Sequence, residues 1–170
     1  MNGAPAPIVV TALFGSEDAA WFERQRRAHF PVAHNQVSAH LTLFHHLPPS
    51  IAPELKHRLQ AETRGQQAPE AQLGVPYSLG GGVAYGIESP GLATIRTGLA
   101  DAFAGLLTPQ DSTGWRPHVT VQNKVQTAEA RRLLAQLTID FRPRRITIAG
   151  FAAWWYHGGP WEMLSRHMFA

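Results

Sequence analysis

His40 and Thr42 lie in the run AHLTLFH, and His118 and Thr120 lie in the run PHVTVQN. Both runs read His-x-Thr followed by an apolar residue. On a strand, side chains two apart share a face, so each histidine points the same way as its threonine. Leu41 and Leu43, or Val119 and Val121, then turn toward the interior. A cleft between two such strands collects two imidazoles and two hydroxyls. These are the parts needed for phosphoester hydrolysis without a metal: a base to activate water, an acid to protonate the leaving oxygen, and neutral donors for the phosphoryl oxygens. Imidazole, with an ordinary pKa of about 6.5, has both protonation states within reach near neutrality. Threonine adds one O–H donor on a stiff side chain. A single His-x-Thr in a chain with nine histidines carries little weight. Two in matched contexts, one in each half, carry far more.

The elements that must hold these motifs follow from the pattern around them. Residues 8–14 are β-branched and apolar and predict a buried strand. Ser16, Glu17 and Asp18 are capping candidates for a helix over 19–29, which Pro31 ends. Alternation from Ser38 predicts the first motif strand, broken by Pro48 and Pro49. A helix over 53–64 and a loop over 66–69 come next. Strands over 73–79 and 83–87 then flank Gly80, Gly81 and Gly82 as a hairpin. Leu92, Ile95, Leu99, Phe103 and Leu106 recur at helical spacing and predict a helix over 90–107, followed by a polar loop over 108–114. A second motif strand over 115–125, a helix over 127–137 and strands over 145–156 and 161–169 close the chain. The second half repeats the element order of the first. The expectation is an α+β, bilobal, pseudo-duplicated fold, with antiparallel sheets, flanking helices and a central cleft carrying the two motifs.

With 170 residues, 44% hydrophobic and 16% charged, the chain is expected to form one two-lobed domain over residues 1–170. The opening MNGAPAPIVV lacks the basic flank and long apolar run of an export signal, and no stretch is apolar enough to span a bilayer, so a cytoplasmic monomer is expected. There is no cysteine, which removes thiolate metal sites and thiol nucleophiles from consideration. The net charge of +3 tolerates an anionic ligand. Arg24, Arg26 and Arg27, Arg131 and Arg132, and Arg142, Arg144 and Arg145 form separate clusters that read as solvated faces, too dispersed to wrap long duplex nucleic acid.

Several further residues could serve the cleft. His46 shares the strand face of His40 if the strand continues that far. A metal site from His40, His45 and His46 would lack acidic partners nearby, so neither metal nor organic cofactor is expected. Arg116 could reach a phosphate from the start of the second motif strand. Trp154, Trp155, Tyr156 and Trp161 could stack on a base or simply fill the core. The three consecutive glycines lack the lysine and hydroxyl residue of a phosphate loop and suit a turn.

The chain resembles the two-histidine phosphoesterase superfamily, in particular its branch of bacterial 2′-5′ RNA ligases, also described as RNA 2′,3′-cyclic phosphodiesterases. AHLTLFHHLP, YSLGGGVAYGI, RPHVTVQNKV, the leucine-spaced helix, the opening strand and the closing aromatic hairpin carry the resemblance across nearly the whole length. It implies a bilobal α+β fold, with His40 and His118 as an acid/base pair and Thr42 and Thr120 binding phosphate. Many relatives place an arginine shortly after the second motif; this chain has Gln122 there, with Lys124 two residues further along the same face. The implied activity opens a cyclic phosphodiester, on an RNA end or a small cyclic nucleotide, or runs the same chemistry backwards as ligation. The alternative is a module of the same fold that binds RNA ends or nucleotides without turnover.

Overall fold

The computed structural model describes residues 5–170. Residues 1–4, which open the stretch read for an export signal, lie outside the described residues. Strand β1 (Ile8–Phe14) leads through α1 (Ser16–His29) to β2 (Leu41–Leu47), and α2 (Ala52–Thr63) follows. β3 (Glu70–Ser78) and β4 (Val83–Glu88) form the glycine-turned hairpin, and α3 (Pro90–Ala102) comes after it. A short α4 (Pro109–Ser112) precedes β5 (His118–Gln122). α5 (Thr127–Asp140), β6 (Arg145–Trp155) and β7 (Glu162–Met168) complete the chain. Among the described residues, no helix is long and apolar enough to cross a membrane.

All pairings are antiparallel, and the path runs β2-β1-β6-β3-β4-β5, with β7 also on β6. β6 joins the two lobes. Its residues from Ile148 onward pair with β1, while Arg145, Ile146 and Thr147 pair with β3. One continuous cluster, including Val10, Phe22, Leu43, Leu92, Val121 and Phe151, fills the interior of both halves. The expected pseudo-duplicated α+β architecture is therefore present, and β2 and β5, the two motif strands, are the ends of the sheet path. They also touch each other.

Several boundaries differ from expectation for local reasons. Ser16 and Asp18 lie inside α1, which has no side-chain cap. Asp18 is buried instead, where its carboxylate accepts from the Thr147 amide at 2.8 Å and pairs with Arg144. α3 ends at Ala102, short of the expected end, and Leu106 is half exposed. The polar loop contains α4, whose Thr108 hydroxyl accepts from the Asp111 amide. β5 is shorter than expected, bounded by Pro117 and by Lys124 at a φ of 65°.

The register places an extra residue in each motif strand just after its threonine. Thr42 faces Thr11 and Phe44 faces Val10, so Leu43 is the extra residue. Likewise Thr120 faces Ala84 and Gln122 faces Val83, leaving Val121 as the extra residue. A bulge of this kind ends the two-residue alternation. Histidine and threonine keep one face, but Phe44 and Gln122 turn inward beside Leu43 and Val121, and all four are buried.

Gly82 makes the second bulge possible. A Cβ there would lie 1.9 Å from the Gln122 carbonyl oxygen, a backbone atom that cannot yield. Gly98, inside α3, has nothing within 4 Å of the same position. Gly82→Ala should therefore destabilise the protein by roughly 2 kcal/mol or more, a fall in Tm of several degrees. Gly98→Ala should be neutral or stabilising by up to about 1 kcal/mol, because alanine favours the helix. Thermal melts of the two variants side by side test this; equal Tm values would refute the close-approach argument.

Candidate active site

An edge strand presents a row of unpaired backbone groups. Here each motif strand has those groups met by side chains of the opposite half. On β2, the Trp115 indole N–H donates to the Thr42 carbonyl at 3.0 Å, and Arg96 Nε donates to the Leu43 carbonyl at 3.0 Å. The His45 and His46 amides donate to the Asp111 carboxylate at 2.9–3.0 Å. Arg96 Nη2 closes the arrangement on the Asp111 carbonyl at 2.7 Å. On β5, Arg26 Nη1 of α1 donates to the Thr120 carbonyl at 3.1 Å, with its Nε on Asn35 Oδ1 at 2.7 Å. The two buried arginines each lie over a phenylalanine ring, Phe30 for Arg26 and Phe44 for Arg96.

The motif side chains meet in one cleft of about 570 Å³, lined by His40, Thr42, His118 and Thr120. The two imidazoles are anchored identically. His40 Nδ1–H donates to the Ser38 carbonyl at 2.7 Å, and His118 Nδ1–H to the Arg116 carbonyl at 2.8 Å. A carbonyl can only accept, so each ring carries its proton on Nδ1 and offers Nε2 for chemistry. Each ring also has an aromatic neighbour in edge contact: Trp161 at 4.8 Å from His40, and Tyr77 at 6.2 Å from His118.

Their surroundings differ. His40 precedes β2 deep in the cleft, and burial pulls its pKa down to about 4, assisted by the charges of Arg26, His118 and His45 and opposed by the Ser38 hydrogen bond. His40 is therefore neutral at physiological pH, even though part of its side chain still meets solvent. A charge on His118 thus disfavours a charge on His40.

Of the other expected site residues, His46 lines the cleft. Arg116 does not; its guanidinium lies 3.5 Å from the centroid of the Tyr77 ring, beside His118. Gln122 is turned inward by the bulge, with its Oε1 buried and unpartnered among the described residues, and does not line the cleft. Lys124 is exposed beyond the end of β5. The shared face expected for His118, Thr120, Gln122 and Lys124 thus stops at Thr120, because the extra residue reverses the alternation. Trp161 and Tyr156 line the cleft, whereas Trp155 packs on the core.

Arg26 and His45 also line the cleft and lie outside the motif argument. Burial lowers the pKa of Arg26, but its direct hydrogen-bond partners are neutral, so it brings a positive charge to the cleft wall. A signal for it exists in the sequence: Asp18, Phe22 and Arg26 recur every four residues and form the buried stripe of α1. His45 donates from Nδ1 to Asp111 Oδ1 at 3.1 Å. Among the described residues, no group of three or more histidine, aspartate or glutamate side chains could hold a metal ion.

A model of the 2′-5′ RNA ligase superfamily matches residues 14–160. Among solved structures, TT0787 of Thermus thermophilus is similar at TM-score 0.64 and 17% identity, covering 96% of this chain and 97% of that one. E. coli LigT complexed with 3′-AMP is similar at TM-score 0.62 and 16% identity, covering 98% and 99%. A structure described as a phosphoesterase gives TM-score 0.53 and 17% identity, again covering 98% and 99%. No curated protein matches the sequence.

Asp111 offers a test of the edge-capping network. Burial alone would raise its carboxyl pKa, but hydrogen bonds from the His45 ring and the His45 and His46 amides outweigh burial and hold it below 3.8. A group depressed in this way contributes stability above its unfolded pKa and loses it as pH falls through the folded value. Asp111→Asn presents an NH₂ group to amide donors and should cost about 1–3 kcal/mol at pH 7. The Tm gap to the unaltered protein should shrink below about pH 4. A gap that is absent at pH 7 would show that the carboxylate is dispensable to the strand edge.

Proposed function

The chain belongs to the 2′-5′ RNA ligase superfamily, and from that premise we propose that it is a phosphoesterase opening cyclic phosphodiesters, with 2′,3′-cyclic phosphates on RNA ends or small nucleotides as substrates. The observation that carries this reading is the pair of Nδ1-anchored imidazoles, His40 and His118, beside Thr42 and Thr120 in one cleft. A nucleotide ligand is also supported by the 3′-AMP held by the structurally similar E. coli LigT. Because each half contributes one histidine, residues 1–170 act in this scheme as one two-lobed domain.

The environment of His40 supports one assignment of the roles. His40, with its pKa lowered to about 4, is the general base: its neutral Nε2 takes a proton from water as the water oxygen attacks phosphorus. His118 is the general acid, giving its Nε2 proton to the departing ribose oxygen as the P–O bond breaks. The Thr42 and Thr120 hydroxyls donate to the non-bridging oxygens, and Arg26 supplies positive potential from the cleft wall. For the next turnover His40 releases its proton to solvent and His118 takes one up. Ligation is the same ring opening with the hydroxyl of a second strand attacking phosphorus in place of water, His40 taking its proton and His118 again protonating the departing ribose oxygen.

Purified protein incubated with 2′,3′-cyclic nucleotides should yield the ring-opened nucleotide, and the activity should survive exhaustive chelation. His40→Ala and His118→Ala should each lower kcat by roughly 10²-fold or more. The double variant should fall far short of the product of the two, since the acid and base act in one displacement. Thr42→Ala and Thr120→Ala should be milder. The acid limb of kcat/KM should lie near pH 4, where His40 becomes protonated and can no longer act as base. Near-normal turnover by His118→Ala on every cyclic phosphate, or recovery only with a divalent ion, would overturn the mechanism.

A further inference from the structure

The two halves stop matching immediately after the bulges. After Phe44 come His45 and His46, both lining the cleft; after Gln122 come Asn123 and Lys124, and neither lines it. Asn123 instead turns its side-chain oxygen onto the Lys124 amide at 2.9 Å. The reaction proposed above uses His40, His118 and the two threonines, and leaves His45, His46 and Gln110 without a role.

Those three residues are held together. The Asp111 carboxylate next to Gln110 accepts from both the His45 and His46 amides and from His45 Nδ1. The carboxylate is 1% exposed, while the His45 side chain is 40% exposed. The ring is therefore fixed at one nitrogen and open at the other, and among the described residues no protein group bonds Nε2. Among those residues no aspartate or glutamate lines the cleft either, so an anion beside His45 meets imidazole rings and the Gln110 amide and no opposing carboxylate. With Nδ1–H committed to Asp111, Nε2 donates only when the ring is an imidazolium, and that ring, held between the Asp111 carboxylate and a bound phosphoryl oxygen, would have a charge partner on each side.

We infer that His45, oriented by Asp111 and flanked by His46 and Gln110, forms a second phosphate subsite, so that the substrate carries a further phosphate beside the cyclic one. The inference rests on the cyclic-phosphodiester reading and narrows it: a bare nucleoside cyclic phosphate is a poor substrate. The second phosphate can come from the next diester of a strand or from a terminal monoester on a nucleotide.

The test compares three substrates: adenosine 2′,3′-cyclic phosphate, the same molecule with a 5′-phosphate, and a dinucleotide ending in a 2′,3′-cyclic phosphate. The protein should show a kcat/KM about tenfold or more higher on at least one substrate with the extra phosphate than on the bare one. Preference for the 5′-phosphorylated molecule, for the dinucleotide or for both identifies the source. His45→Asn keeps a donor for Asp111 but removes the distal nitrogen, and should bring the ratio close to one. Gln110→Ala should lower the ratio less. A ratio is insensitive to partial unfolding, and Tm values of both variants accompany it. Turnover of all three substrates without preference, or a preference that His45→Asn retains in full, overturns the second subsite and leaves the phosphodiester reading standing. Absence of turnover on all three removes both.

Discussion

The cleft depends on how two sheet edges are finished. β2 and β5 end the strand path, and each carries a motif whose backbone is bulged just past the threonine. Exposed edges with unpaired amides and carbonyls invite another chain or water. In this fold they are closed from across the molecule, by Trp115, Arg96 and Asp111 on β2 and by Arg26 on β5. The capping groups of one half are thereby tied to the motif of the other. Leu43 and Val121, the extra residues, remain in the core, so the bulges are packed features rather than local disorder. Without them, alternation would carry Phe44 and Gln122 onto the cleft face beside the histidines.

The same caps set the electrostatics. Burial disfavours the charged form of both arginines, but they are compensated differently. Arg96 has the charge of Asp111 nearby and lies close to two aromatic rings, Phe44 and Trp115. Arg26 is opposed at longer range by Glu23, which is itself engaged with the Ala39 amide and Arg27, and its own hydrogen bonds go to an amide and a carbonyl. Positive charge is thus neutralised behind β2 and left available beside β5. A buried cation whose nearest partners are neutral raises the affinity of its cavity for an anion and resists protonation of a neighbouring imidazole. Arg26 contributes in that second way to the low pKa of His40.

Much of this is legible in the sequence, and what is not has a common cause. His40, Thr42, His118 and Thr120 converge because strand alternation holds for two residues on either motif. It fails at the third because a bulge is a backbone event with no residue signature here, and so alternation alone puts Gln122 on the cleft face. Arg26 reads, by proximity, as one of a solvated trio with Arg24 and Arg27. Yet it follows Asp18 and Phe22 at four-residue intervals, and Arg96 sits between Leu92 and Leu99 in the buried stripe of α3. A charged residue three or four positions from an apolar one on the same helical face is the pattern that marks both. Asp111, in a stretch that reads as polar loop, gives no such signal, because its partners are backbone amides brought to it only by the tertiary fold.

The duplication explains why one frame can serve opposite proton transfers. Identical anchoring, Nδ1–H to the carbonyl two residues back, gives both imidazoles the same tautomer and leaves Nε2 for the cleft. Chemistry of the proposed kind needs the two rings in different protonation states at the same moment. Two equivalent rings in equivalent settings would share any proton evenly, and half of the encounters would find the wrong arrangement. The difference comes from what the halves place around the rings. His40 is set before its strand against Trp161, close to Arg26 and His45, where burial and like charge keep it neutral. His118 faces Tyr77, with Arg116 lying over that ring instead of against the imidazole. Repeating the backbone thus fixes where the two nitrogens point, while the side chains around His40 hold that ring neutral.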